Sequence, residues 1–288
     1  MNKQIRLVTK NKTKKDTYQL GIALSGGGAK GFAHLGVLQA LNERGLYPEV
    51  ISGTSAGAFA GVLYADGHSP EEIISFFRKK AFKEFAEFTI PPHGGFFKST
   101  GFQAFLKKHL RARTFEELKT PLHVVATDIE YGESQAFSKG NLIPPIIASC
   151  SVPLVFKPLE INKRYYVDGG LFQNFPVSVI RRECVKIIGV NVSPVIKAEF
   201  KSSIKYVAER SFHYMSVSNT LLDRNLCDYL IESCDLARYS MFDLEHVEEI
   251  YQTGYELGMK FIEDNEESLQ VDFPDFITTE QTKHKNLS

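Results

Sequence analysis

The stretch Val50-Ile51-Ser52-Gly53-Thr54-Ser55-Ala56-Gly57-Ala58-Phe59-Ala60 decides how the chain is read. A β-branched pair runs through small residues into an alanine-rich segment. That order describes a short buried strand, a sharp turn and a helix. Gly53, Ser55 and Gly57 spell G-x-S-x-G, the nucleophile-elbow pattern. A serine at the tip of such a turn sits in a strained backbone conformation with its hydroxyl pushed outward. A side chain at Gly53 or Gly57 would collide with neighbouring backbone. A helix that begins at Ser55 brings its unpaired N–H groups and positive dipole end beside that hydroxyl. The plainer alternative is a tight turn whose serine caps a helix.

Upstream, residues 20–25 (LGIALS) form a short apolar run, read as the first core strand. Gly26-Gly27-Gly28-Ala29-Lys30-Gly31 follows. Residues 32–44 then place Leu35, Val37, Leu38 and Leu41 at helical spacing, with Gly45 as the stop. Strands alternating with helices at this interval predict an α/β fold with a parallel sheet covered on both faces. Ser69-Pro70-Glu71-Glu72 opens another helix with a capping serine, an early proline and acids at the positive end. Residues 76–105 are rich in phenylalanine and lysine and are broken by Pro91-Pro92-His93-Gly94-Gly95. They read as two amphipathic helices. A sharper alternative makes Phe96, Phe97 and Phe102 a cap over an acyl-chain pocket. Further on, 122–128 and 185–192 read as core strands, and 134–137 as a strand near the first of them. Residues 157–161 and 165–167 read as strands around a turn at Asn162-Lys163. Residues 201–226 read as one long helix, 229–231 as a last strand and 247–263 as a helix. The division expected is a basic arm (1–18), one domain (19–264) and a polar, fraying tail (265–288).

With 288 residues, 43% hydrophobic and 24% charged, the composition is that of a globular protein with a sizeable core. Lys plus Arg balance Asp plus Glu at 34 each. No global field draws the chain to nucleic acid or to an anionic membrane, and no nucleic-acid partner is expected. Cys150, Cys184, Cys227 and Cys234 are scattered with no C-x-x-C, so neither a zinc knuckle nor a redox pair is indicated. The opening MNKQIRLVTKNKTKKDTYQ lacks the apolar core of a signal peptide. The uncharged stretches 50–65 and 140–156 are broken by glycine or proline and too short to span a bilayer. The expectation is a cytoplasmic protein whose contact with a membrane surface is at most local and transient.

A serine nucleophile needs a base, an oxyanion hole and shelter from water. Gly26-Gly27-Gly28 lies at the tip of the first strand, beside the elbow if the two strands are neighbours, and its backbone N–H groups can approach a substrate closely. Gly26, Gly28 and Gly31 also match G-x-G-x-x-G. However, the second strand ends at Ser52-Gly53 without the acid a dinucleotide site needs. Gly31 is followed by Phe32, so a P-loop fails as well. A hydrolase triad places its histidine last in the chain, which leaves His213, His246 and His284; none stands in a turn after a strand. Asp168 does stand at a strand end, after Tyr165-Tyr166-Val167 and before Gly169-Gly170. A single aspartate can take the serine proton if burial tunes it. The alternative there is an ordinary D-G-G hairpin turn.

GGGAKG, GTSAG and DGG in this order resemble the bacterial branch of the patatin-like phospholipase family. Ala126-Thr127-Asp128, the ASCSVP run at 148–153 and Asn174-Phe175-Pro176 belong to the same likeness, which extends from about residue 20 to about residue 261. The resemblance implies a three-layer α/β/α sandwich with a mostly parallel sheet. It implies a lipid acyl hydrolase with a Ser–Asp dyad and no catalytic histidine, acting on phospholipid or lysophospholipid esters. Ser55 would be the nucleophile, Asp168 the base, and Gly26, Gly27 and Gly28 the oxyanion donors. Lys30, Gly31, Gly53, Gly57, Gly169 and Gly170 would support the motifs, and no metal or cofactor is required. Lys30 stands where arginine is frequent, Gly170 where alanine is common, and residues 144–147 are apolar where a basic residue often stands. A Ser–His–Asp carboxylesterase, a non-catalytic lipid-binding regulator on the same fold, and acyl transfer to an acceptor other than water stay open.

Overall fold

The computed structural model of the chain describes residues 17–77, 87–88, 97–98, 100–195, 197, 199–200, 202–278 and 281. Strand β1 (Tyr18–Leu24) leads through a 3-10 turn (Gly28–Gly31) into α1 (Phe32–Glu43). Then come β2 (Val50–Thr54), α2 (Ala56–Ala65), α3 (Pro70–Phe77) and the two-residue strands β3 (Glu87–Phe88) and β4 (Phe97–Lys98). Helix α4 (Thr100–His109) precedes β5 (Leu122–Asp128), β6 (Glu133–Phe137), α5 (Ile143–Ser149), β7 (Leu159–Ile161) and β8 (Arg164–Asp168). The chain finishes with α6 (Val177–Ile180), β9 (Cys184–Asn191), α7 (Ile204–Ser218), α8 (Leu221–Arg224), β10 (Tyr229–Glu232) and α9 (Val247–Asp272).

Five strands lie side by side and parallel in the order β10-β9-β1-β2-β5. Beyond them the pairing turns antiparallel. Strand β5 pairs with β2 through residues 122–125, with β8 through 126–128, and with β6 through 124–128. A strand residue has one neighbour on each side. So β6 takes one edge of β5, while β2 and β8 share the other, end to end. β2 finishes with Thr54 opposite Val125; β8 arrives from the opposite direction and finishes with Asp168 opposite Ala126.

Alternation along the central strands produces the layers. Ile22 and Leu24 of β1, Ile51 of β2 and Ile188 and Val190 of β9 face a large core shared with α1, α2, α3 and α9. Their neighbours Ala23, Val50 and Ile187 face a second core with Phe175, Val177 and Ile180. A sheet buried on both faces requires apolar residues at consecutive positions, which is why these strands read as continuous runs. Each fully buried Leu or Ile contributes roughly 1.5–3 kcal/mol. The result is a three-layer α/β/α sandwich with a mostly parallel sheet.

Local signals are met at the helix ends. Ser69 and Glu72 close a reciprocal capping box on α3: Ser69 N–H donates to Glu72 Oε2 at 2.9 Å, and Glu72 N–H donates to Ser69 Oγ at 3.1 Å. Asn162 and Lys163, both at positive φ (52° and 64°), form the turn between β7 and β8. Helices α1 and α9 touch backbone to backbone. A Cβ at Gly36 would lie 2.1 Å from the Tyr251 carbonyl oxygen and 2.4 Å from the Tyr255 nitrogen. Gly36→Ala therefore forces the two helices apart. A loss of about 2 kcal/mol is expected in urea unfolding, with the slope unchanged.

Three expectations are corrected. The last helix runs on to Asp272 instead of ending near 264. Leu269, Phe273 and Phe276 are buried, and Asp272 accepts hydrogen bonds from Tyr229 and Lys186, so 265–276 belongs to the packed domain. The helix expected over 201–226 is two, α7 and α8, interrupted at Asn219 and Thr220. The interruption has a cause: Asn219 turns its amide to the Asp-Gly-Gly loop, donating to the Gly170 carbonyl at 2.9 Å and accepting from Asn174 N–H at 2.8 Å. The elbow helix starts at Ala56, leaving Ser55 just outside it. Residues 1–16 of the proposed arm, Phe96 and the side chain of Phe97 lie outside the described residues.

Candidate active site

Strand β1 pairs with β2 in parallel, Leu24 opposite Gly53, so the glycine loop does stand beside the elbow. Ser55 takes φ 52° and ψ −119°, a region costly for a residue with a side chain. The tightness around it enforces this. A Cβ at Gly57 would lie 2.2 Å from the Leu24 carbonyl oxygen, and one at Gly53 would lie 2.6 Å from the Gly57 oxygen. Ser149, on α5, holds the turn from the other side: it accepts from Ser55 N–H at 2.8 Å and donates to the Val125 carbonyl at 2.6 Å.

The shared edge of β5 brings Asp168 to Ser55. Ser55 Oγ donates to Asp168 Oδ2 at 2.6 Å, and Gly170 N–H donates to Asp168 Oδ1 at 2.7 Å. Both residues are buried, Asp168 to 1% exposure. Burial pushes the Asp168 carboxyl up to about 7, while the hydrogen bonds from Ser55 and Gly170 pull it down. Cys150 sits close by, its Sγ 3.3 Å from the Ser55 carbonyl oxygen. Burial first, and then the Asp168 charge, push its thiol far up, so it stays protonated.

The glycine loop differs from expectation at one position. Gly26 N–H is committed, donating to the Asn174 carbonyl at 2.9 Å, so Gly26 cannot serve as an oxyanion donor. The amides of Gly27 and Gly28 have no backbone acceptor among the described residues and sit on the cavity wall with Ser55. Gly31 packs against Ala56, and Gly169 against the Val125 carbonyl. Lys30 is turned away into a separate polar cavity with Glu209 and Arg210; burial lowers its ammonium to about 8.

Ser55 opens onto two spaces. One is a cavity of about 140 Å³ lined by Phe32, Phe59, Phe102, Phe156, Met241 and Leu244 among others, with Gly28 on its wall. Phe102, one of the three phenylalanines of the cap alternative, lines this cavity, with its ring centroid 4.7 Å from that of Phe59. The other space is narrow and of mixed lining: Asp168, Asn174, His213 and Ser216 border it together with Val152, Phe212 and Met241. Among the described residues no imidazole is bonded to Ser55. His213 donates to the Pro194 carbonyl and is held down at about 4 by burial and then by Lys30 and Arg210. His246 pairs with Asp243 at 2.7 Å, and His284 is outside the described residues. Ser216 and Asn219, both at this site, escaped sequence reasoning because nothing in their helical surroundings marks them. Asn174 was noted only as part of a motif. Among the described residues no three His, Cys, Asp or Glu gather to hold a metal ion, and no helix is long and apolar enough to cross a membrane.

Fold and site together define an α/β protein built around a serine elbow whose hydroxyl meets a buried carboxylate. The family model of the patatin-like phospholipases matches residues 22–180, more than half of the chain, and the chain belongs to that family. It is 31% identical over 188 residues to an uncharacterized NTE family protein of Mycobacterium tuberculosis, covering 64% of this chain and 50% of that one. It is 32% identical over 185 residues to lysophospholipase NTE1 of Candida glabrata, covering 61% of this chain and 10% of that one. The chain thus spans about half the length of the mycobacterial relatives and about a tenth of the yeast one. Among solved structures, VipD from Legionella pneumophila aligns with a TM-score of 0.49 at 17% identity, over 85% of this chain and 66% of that one.

Proposed function

We propose that the chain is a serine acyl hydrolase of phospholipid or lysophospholipid esters, with Ser55 as nucleophile and Asp168 as base. The observation that carries this reading is the 2.6 Å bond between Ser55 Oγ and Asp168 Oδ2 beside an apolar cavity of about 140 Å³. The acyl chain lies among the phenylalanines, which brings its ester carbonyl to Ser55. Oγ attacks the carbonyl carbon as its proton passes to Asp168. The oxyanion forms within reach of the Gly27 and Gly28 amides, each such donor being worth roughly 3–4 kcal/mol. Asp168 returns the proton to the leaving alcohol, and the acyl group stays on Ser55. Water then completes the cycle. No step calls on a metal or a cofactor. Membrane contact on this reading is a transient approach of the cavity mouth to a lipid surface.

A fluorophosphonate probe tests the reading. Labelling is expected at Ser55, located by mass spectrometry of the modified peptide. His246→Ala is expected to label and turn over a short p-nitrophenyl ester as the parent does. An unlabelled protein would be a lipid-binding regulator on this fold. Label on another residue, or activity lost with His246, would also overturn the dyad.

A further inference from the structure

The narrow space beside Ser55 holds a chemical irregularity. Four buried side-chain polar atoms lack a hydrogen-bond partner among the described residues: His34 Nδ1, Thr127 Oγ1, Asn174 Nδ2 and Ser216 Oγ. Two of the four residues, Asn174 and Ser216, border this one space, and they are only 3% and 5% exposed. Buried polar groups are ordinarily paired, so two orphans at one place mark a polar occupant. The remaining polar side chains there are engaged: Ser193 Oγ donates to the Gly26 carbonyl, and Ser55 to Asp168.

The placement is deliberate in structural terms. Asn219 ties α7 to the Gly170 carbonyl and the Asn174 amide, and Ser216 stands three residues earlier on that helix. A Cβ on Gly170 would lie 2.9 Å from Asn174 Oδ1, 3.0 Å from Asp168 Oδ1 and 3.1 Å from Ser216 Oγ. Three side-chain oxygens therefore converge beside Gly170.

We propose that this space seats the water that hydrolyses the acyl-enzyme, with Asn174 and Ser216 as its positioning residues. The proposal rests on the Ser55–Asp168 reading above. The two spaces divide the reaction by chemistry. The carbon-lined cavity takes the acyl chain, and its hydrocarbon would exclude water from that side. The narrow space borders both Ser55 and Asp168 and is small enough to hold on the order of one ordered water. Asn174 Nδ2 donates to the water oxygen, and Ser216 Oγ accepts from one of its hydrogens. The second hydrogen points to Asp168. The water oxygen attacks the acyl carbon while that proton passes to the Asp168 carboxylate. The bond from the acyl carbon to Ser55 Oγ then breaks, Asp168 gives the proton back to Oγ, and the fatty acid leaves.

The test is stopped-flow release of p-nitrophenol from p-nitrophenyl butyrate by the full chain, with mass spectrometry of quenched samples. In Ser216→Ala the burst, which reports acylation, keeps its rate. The steady rate falls by about tenfold or more, and butyryl-Ser55 accumulates. Because only the second half-reaction slows, kcat and KM fall together and kcat/KM holds. Asn174→Ala, which removes the other positioning group, is expected to give the same split. If kcat/KM falls as much as kcat, or if neither variant changes anything, the seat is overturned. An unlabelled parent protein would overturn the dyad and the seat with it, and that result is visible before any variant is made.

Discussion

Asp168→Asn folds and loses about 10³-fold or more in kcat. Asparagine fits the space: its oxygen can still accept from Gly170 N–H, and its NH₂ can face Ser55 Oγ. It cannot take a proton, so Ser55 stays a hydroxyl and fluorophosphonate labelling is lost as well. The parent enzyme carries the matching signature in its pH dependence. Its base must be ionised, and burial raises that carboxyl to about 7. The rising limb of kcat/KM is therefore centred near 7, not near 4, where an ordinary carboxylate would put it. Stability runs the other way. A carboxyl whose folded pKa is raised binds its proton more tightly in the fold, so its contribution is full below 3.8 and is lost as pH rises through about 7. Holding the ionised form costs on the order of 4 kcal/mol. Asparagine avoids that cost. Urea unfolding should show the variant equal to the parent at pH 4 and more stable at pH 8. A variant that keeps activity, or that is less stable at pH 8, contradicts this account.

Gly57→Ala is expected to cost at least about 3 kcal/mol, more than Gly36→Ala. The new Cβ would lie 2.2 Å from the Leu24 oxygen, 2.6 Å from its carbon and 2.7 Å from the Ser25 oxygen. All three are backbone atoms of the central strand and its exit, pinned by pairing on both sides. At Gly36 two helices can slide apart; here α2 would have to lift off the sheet and carry Ser55 with it. The urea midpoint should fall with an unchanged slope, and activity should drop even where the variant is folded. A midpoint close to the parent value would mean that the elbow is looser than these distances allow.

What could be read from the sequence was what rests on local sterics. G-x-S-x-G is an elbow because its glycines are pressed by backbone within a few residues and by the strand alongside. Asp168 declared itself as a carboxylate at a strand end before two glycines. The layers followed from strands apolar at consecutive positions. What could not be read depends on contacts far apart in the chain. Gly26 looks like its two neighbours, and only the arrival of the Asn174 carbonyl takes its amide away. The break at Asn219 is invisible in a run of good helical spacing, because its cause is the Gly170 loop. The last helix outlasts its apolar pattern because Asp272 is fastened to β9 and β10 through Lys186 and Tyr229.

The end-to-end meeting of β2 and β8 on one edge of β5 makes that strand a ruler for the reacting oxygens. Its graduations are whole residues of about 3.4 Å. One residue inserted between Val125 and Ala126 would slide the base a full graduation away and turn the following side chains to the opposite face. A surface turn such as that at Gly140 can lengthen or shorten without moving either oxygen, whereas this short span admits no change of length.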